Sequence, residues 1–291
     1  MPRIQANYIA INVEITIMSY ASGIPNSLFH PDNPFIHRNP YRPLPFWDLS
    51  NNLDKQISNN EKVYWAIEEE LTITTPSLDL KKAFNCFNLV PSAGAQYSIK
   101  LCADVPKNDK PMQLPPETGS ETGHSFVVVT KTNGAKHVTQ VFGFYAQKHP
   151  GYFMPWREMP STIYSNQLRE INASIEMGLT EKQFESLREK ALELANKKYA
   201  AASYNCTNYG LDLFNSVRMK PIIIDSCTVY LSNNNNMYGT SEISRMTIDK
   251  TPQMLFKKLK EMKDSSNSES SNIVIDQTKN TKAPLSHGEC N

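Results

Sequence analysis

GHSFVVVTKTNGAKHVTQVFGFY, residues 123–145, is the stretch on which the reading of this chain turns. Two β-branched and apolar runs, His124 to Thr130 and Val138 to Tyr145, flank Thr132-Asn133-Gly134, the pattern of an antiparallel hairpin. The first run starts with a histidine. A second string, YNCTNY at 204–209, starts a helix with a cysteine. A thiol is nucleophilic as the thiolate, and a helix N-terminus beside an imidazole lowers its pKa from about 8.5 towards neutrality. His124 and Cys206 are therefore read together.

Outward from the hairpin, strands and helices follow from periodicity. Upstream, Gln96 to Val105 alternates apolar and polar residues as a strand, and Asp79 to Phe87 is a short amphipathic helix with Leu80, Ala83, Phe84 and Phe87 on one side. A Pro/Lys/Asn/Asp linker, Pro106 to Thr122, leads into His124. Further back, Glu61 to Thr75 reads equally as strand or short helix. Six prolines between Ser22 and Leu53 exclude long helices there. Residues 8–18, YIAINVEITIM, alternate as one strand. Downstream, Gln147 to Ser161 is a second irregular segment with Pro150, Pro155 and Pro160, and Leu168 to Met177 alternates as another strand.

Two helices come next. Thr180 and Gln183 form a capping box ahead of an apolar stripe of Phe184, Leu187, Ala191, Leu194, Ala195 and Tyr199. The helix from Cys206 carries Tyr209, Leu213, Phe214 and Val217 on one face and stops at Pro221. Residues 222–250 suggest one or two strands, and Thr251-Pro252 starts a short basic amphipathic helix. The polar composition beyond 262 predicts a disordered tail. The expected organisation is thus an α+β domain over 95–262, an antiparallel sheet packed against helices, with 1–94 packed upon it and 263–291 as the tail.

Composition narrows the function classes. The chain has 291 residues, 30 basic and 29 acidic, for a net charge of +1. That gives no global field to recruit nucleic acid or an anionic membrane. No apolar run reaches the length of a membrane span, so no integral membrane association is expected. Glu14 interrupts the apolar run near the N-terminus, which leaves the usual secretory signal pattern unmet and points to a cytoplasmic protein or one exported by another route. Five cysteines without CxxC spacing argue against a disulfide framework and a zinc site. Cys86, Cys102 and Cys227 read as packing. No P-loop, GxGxxG or HExxH occurs, so no cofactor or metal is expected.

Nucleophilic cysteine catalysis needs the thiol, a base in reach and a third group that orients the base. Cys206 is the candidate nucleophile and His124 the candidate base. The bland alternative is that a lone cysteine at a helix start packs in a core. For the orienting group the register matters. A three-residue turn at Thr132–Gly134 puts Phe142 opposite His124 and Gln140 diagonal to it, so Gln140 is preferred. A two-residue turn at Asn133-Gly134 instead places Thr139 and His137 on the face of His124. His30, His37, His149 and His287 show no constellation.

A GH-strand hairpin, an intervening strand and capped helix, and then an NC-[ST]-x-[FY] string opening a second helix, with histidine before cysteine, resembles the circularly permuted papain-like proteins. These belong to the NlpC/P60 superfamily, which includes lecithin:retinol acyltransferase-like enzymes. The resemblance covers roughly 95–262 and implies an antiparallel sheet packed on the Cys206 helix, with Cys206 as nucleophile and His124 as base. The family's third polar position has no clean match. The implied activity is that of a cysteine hydrolase, an amidase or peptidase on peptide substrates, with bacterial peptidoglycan peptides the first guess and an exported effector the implied role. Alternatives are a lipid-directed acyltransferase or lipase using the same pair, and a non-catalytic binding module.

Overall fold

A computed structural model describes residues 77–112, 123–147, 157–235, 240–266, 268–278 and 281–291. The strand expected at 8–18, the Pro-rich segment 22–53 and the undecided stretch 61–75 lie outside them. In chain order the elements are α1 (Leu80–Asn85), a 3-10 turn (Cys86–Leu89), β1 (Gln96–Asp104), β2 (His124–Asn133), β3 (Lys136–Ala146), β4 (Ser161–Ser165), β5 (Ala173–Leu179), α2 (Glu181–Ala195), α3 (Cys206–Asn215), β6 (Cys227–Asn235), β7 (Thr240–Ile248), α4 (Pro252–Asp264), a second 3-10 turn (Ser270–Asn272) and β8 (Ile273–Ile275). The architecture is mixed α/β. Six strands form one antiparallel sheet in the order β4-β3-β2-β1-β5-β8.

The described residues fall in two compact units: those between 77 and 229 together with those from 245 to 291, and a second that includes those described between 230 and 244. Strands β6 and β7 pair as a two-stranded sheet of their own, in the 222–250 region where one or two strands were expected.

Both faces of the large sheet are buried, which explains why β2 reads as a nearly continuous apolar run rather than a strict alternation. Its first six residues, His124 to Val129, are all buried. On one face Ile99, Leu101, Val127, Val129, Phe142, Phe144 and Ile175 join the core with side chains of α1, α2, α3 and α4. Phe84, Phe87, Tyr97 and Phe184 cluster there with ring centroids as close as 4.8 Å. Each such side chain contributes about 1.5–3 kcal/mol by leaving water. On the other face Cys102, Phe126, Val128, Val141, Ile171 and Ala283 pack together.

The turn of the hairpin differs from both expectations. Asn133 pairs with Lys136, so Gly134 and Ala135 form a two-residue loop, and Gly134 takes the positive φ of 58° that such loops need. The register that follows sets Val129 opposite Gln140 and Val127 opposite Phe142. Gln140 therefore lies on the α-helical face, and His124 on the other. Strand β5 begins at Ala173, later than the expected Leu168. Leu168 instead sits in a turn with φ of 63°, where Arg169 N–H donates to Asn166 O at 3.2 Å. Strand β4, at the end of the segment expected to be irregular, has no counterpart in the sequence reading.

The expected disordered tail is ordered. Strand β8 pairs Ile273 with Ile175 and Ala173 with Ile275. Residues 281–290 then form a strap along the sheet: Thr281 O and Ala283 O accept from Ile171 N–H and Leu168 N–H, Ala283 N–H donates to Arg169 O, and His287 N–H donates to Thr139 O. Cys290 closes a disulfide with Cys86, at a Cα separation of 5.1 Å, correcting the reading of Cys86 as a packing thiol. Polar composition misleads here because the strap borrows its order from backbone pairing and one covalent bond, not from a core of its own. In the chain-entropy picture a bridge closing a loop this long contributes up to about 5 kcal/mol.

Gln140 belongs to this strap and not to the imidazole. Its Nε2 donates to Ala83 O and Gly288 O, both at 2.8 Å, and its Oε1 accepts from Ser286 Oγ at 2.8 Å. The amide and Ala83 O are buried, and Gly288 and Ser286 are half-buried, so an isosteric apolar replacement leaves polar groups unmet. Gln140→Leu is expected to lower unfolding stability by about 2–3 kcal/mol in urea titrations; an unchanged midpoint would show that the amide carries no such role.

Candidate active site

Helix α3 begins where the local sequence dictates. Asn205 is its N-cap: the side-chain oxygen accepts from Thr207 N–H at 2.8 Å and Asn208 N–H at 3.4 Å, and Asn208 Oδ1 returns the contact to Asn205 N–H at 3.2 Å. The cap is itself anchored, Asn205 Nδ2 donating to Ala201 O and Lys250 O. Cys206 is thereby fixed as the first helical residue, with its own N–H outside the cap. The positive end of the helix lies at the thiol.

The thiol meets β2. Ser125 Oγ and Thr207 Oγ1 are 3.0 Å apart, which sets the residue after His124 against the residue after Cys206. The β2–β3 ladder runs from Asn133↔Lys136 to Val127↔Phe142 and stops, although both strands continue to His124 and Ala146. Past that point Ser125 N–H faces the Cys206 sulfur, and Thr207 Oγ1 lies 3.9 Å from it. The Ser125 N–H and the start of helix α3 thus both lie at the sulfur.

His124 is 1% exposed and lies between two rings, 4.2 Å from Tyr145 and 6.2 Å from Phe126, nearly parallel to both. Its Nε2 edge rests over Gly143 of β3, beside Asn166 Oδ1. A Cβ added at Gly143 would overlap both atoms, so only glycine leaves room for the imidazole and the amide on this strand. Asn166 Nδ2 donates to Tyr145 Oη. That bond selects which end of the amide faces the imidazole, turning Oδ1 to Nε2. Both atoms are buried and neither makes a hydrogen bond among the described residues, which leaves the Asn166 amide as the polar group beside the imidazole.

The amide beside the imidazole is therefore that of Asn166, not Gln140. His137, the rival, shares the side of His124 but pairs with Thr132, about 26 Å away along β2 at the usual rise per residue. It is exposed. Asn166 has a sequence signal only in retrospect: a lone asparagine at the end of a short strand looks like any turn residue. Tyr145 and Gly143 were inside the decisive stretch, but their role depends on a register that the turn did not reveal. Cys102 is buried in the sheet, Cys227 is buried at the start of β6, and His287 lies in the strap. His30, His37 and His149 lie outside the described residues.

Arg169 adds charge at the same end of the sheet. Its Nε donates to Asp104 Oδ2 at 2.7 Å, and Asp104 is the β1 partner of His124. Burial lowers the His124 pKa well below the ordinary value, the Arg169 charge lowers it further, and Asn166 opposes both. Burial raises the Cys206 thiol, against the Ser125 N–H, the Thr207 hydroxyl and Arg169. At rest the pair is a neutral imidazole and a neutral thiol. Its helix-end location does not outweigh desolvation in the closed site.

Among the described residues no group of three or more His, Cys, Asp or Glu side chains is placed to hold a metal, and no helix is long and apolar enough to cross a membrane. An open groove of about 660 Å³ lies at the opposite end of β1, among Tyr97, Ser98, Thr132, Glu176 and Gln183, away from Cys206. Comparison with family models, with curated proteins and with solved structures found no match to the chain.

Two outcomes follow from the geometry. Gly143→Ala is expected to displace the imidazole and cost about 1–3 kcal/mol of stability through overpacking, with the change in ring environment read from the His124 resonances; an unperturbed ring would contradict the close approach. The second outcome concerns pH. The unfolded chain takes up a proton at His124 near pH 6.5 that the folded chain refuses, so stability falls as pH drops below that value, by about 1.4 kcal/mol per pH unit. The reverse holds for the raised thiols of Cys206 and Cys102, whose unfolded forms lose a proton near pH 9, so stability falls again above it. Urea titrations across pH should show this plateau, and His124→Leu should lack the limb between pH 6.5 and the carboxylate range.

Proposed function

We propose that this chain is a cysteine-dependent amidase or peptidase of permuted papain-like architecture. Cys206 is the nucleophile, His124 the base and Asn166 the group that orients the base. The observation that carries the reading is the Ser125–Thr207 contact. It sets the start of β2 against the first turn of α3, bringing the strand that opens with His124 and the helix that opens with Cys206 to one end of the sheet. The order of histidine before cysteine, and an antiparallel sheet packed on the cysteine helix, support the same reading.

In this reading Cys206 Sγ attacks the acyl carbon as its proton passes to His124. The N–H groups of Cys206 and Ser125 hold the oxyanion. His124 then returns the proton to the leaving amine, and a thioester remains on Cys206. Water attacks the thioester with His124 again as base, releasing the acid and restoring the thiol. Peptide amides, with bacterial cell-wall peptides first, are the proposed substrates.

One observation favours a second reading, a binding module without turnover: burial holds both groups of the pair neutral and leaves Cys206 only 8% exposed. Iodoacetamide labelling separates the two. With each cysteine followed by peptide mass spectrometry across pH, catalysis requires Cys206 to label about tenfold faster than Cys227 near neutral pH and to lose that lead in His124→Ala. Muropeptides and short acyl esters assayed in parallel distinguish amidase from lipid chemistry, and Cys206→Ala should reduce turnover by about 10⁴-fold or more. Equal labelling of the two thiols, without turnover of either substrate, would leave the binding module standing.

A further inference from the structure

The segment that carries Asn166 and Arg169 is strained and held from outside. Leu168 lies at φ of 63° without being glycine, a conformation that persists where surrounding contacts over-determine it. Its side chain is 55% exposed, so packing of that side chain does not supply the constraint. The constraint is the strap. Leu168 N–H donates to Ala283 O, Ala283 N–H to Arg169 O, Ile171 N–H to Thr281 O, and Ser286 N–H to Gln167 Oε1. Four bonds fix a turn that delivers two side chains to the site.

The strap itself has little core. Ala283 is its one buried apolar side chain, while Leu285 is 66% exposed. Beyond Ala283 it is pinned by Gln140, by the Thr139–His287 backbone bond, by Glu289 at the N-cap of α1, and by the Cys86–Cys290 disulfide. Cys86 is fully buried and Cys290 only partly so, which makes Cys290 the more accessible half of the bridge. The bond is not at the candidate site, yet it anchors the element that shapes the site.

We infer that Cys86–Cys290 is a thiol–disulfide exchange site, a latch through which a dithiol reductant loosens the Asn166–Arg169 turn and so controls the Cys206 site. One thiolate of the reductant attacks Cys290 Sγ. The S–S bond breaks, Cys86 leaves as a thiolate and takes a proton. The second thiol of the reductant then attacks the mixed disulfide and releases the Cys290 thiol. The reductant departs as its own disulfide, two electrons having passed to the protein. With the far end of the strap unpinned, its bonds to 168–171 compete with water, and the left-handed leucine relaxes. The latch deepens the proposed function, since its consequence for catalysis rests on Cys206 being the nucleophile; the mechanical coupling does not.

Hydrogen exchange by mass spectrometry on the full chain tests it, in the oxidised protein, after millimolar dithiothreitol, and after reoxidation. Reduction is expected to speed exchange over 281–290 and over 166–171 by about tenfold or more, to leave α3 unchanged, and to reverse on reoxidation. Cys290→Ser should reproduce the reduced pattern without reductant. The inference is overturned if 166–171 exchanges at the same rate in both states while 281–290 is released, or if the native protein withholds the disulfide from dithiothreitol. Because exchange reads the turn without substrate, a protein that shows the latch but no turnover would sink the catalytic reading alone.

Discussion

The early end of the β2–β3 ladder is the constraint from which the site follows. Had the pairing continued past Val127↔Phe142, the Ser125 N–H would be committed to β3 and no backbone donor of the sheet would face the Cys206 sulfur. The two strands instead part where α3 begins, and the helix N-terminus supplies what the ladder gives up. Backbone groups in a buried sheet need partners. Here the partner is a thiol, which binds an N–H weakly and leaves it available to a stronger acceptor. A site of this kind is a local break in the pairing of a sheet whose central strands are buried on both faces.

The break is supported on the far side by polar residues with unequal duties. Gln140, inside β3, and Asn166, just past β4, are both buried amides, yet one is saturated by three strong bonds to the strap and α1, and the other keeps an oxygen beside the imidazole. Tyr145 makes the difference, because its hydroxyl takes the amide nitrogen of Asn166 and leaves the oxygen facing His124. Saturation rigidifies, and incompleteness leaves capacity for chemistry.

Much of the scaffold was legible in the residues. The hairpin, β1, the capping boxes of α2 and α3, and the α4 start at Thr251-Pro252 all follow from local chemistry that tertiary structure did not override. That Cys206 opens a helix and His124 a strand was legible too. What escaped depends on distance in sequence. The turn at Gly134-Ala135 shifts the register from both expectations, and that shift moves Gln140 to the opposite face from His124. The tail looks disordered because Ser and Asn dominate residues 264–280 ahead of the strap, and nothing near Cys290 announces Cys86. Leu168 was counted into a strand because alternation cannot register a positive φ.

The Cys86–Cys290 bridge has a topological consequence. It closes a ring spanning 204 positions, with the whole six-stranded sheet inside it. A closed ring of that size cannot be drawn through a channel one extended chain wide, because two strands must enter together. Any passage of this chain by threading must come before the ring closes, and oxidation afterwards would act as a ratchet that forbids return. Pulling on the two bridged positions would likewise load the sulfur–sulfur bond and not the strands it encircles.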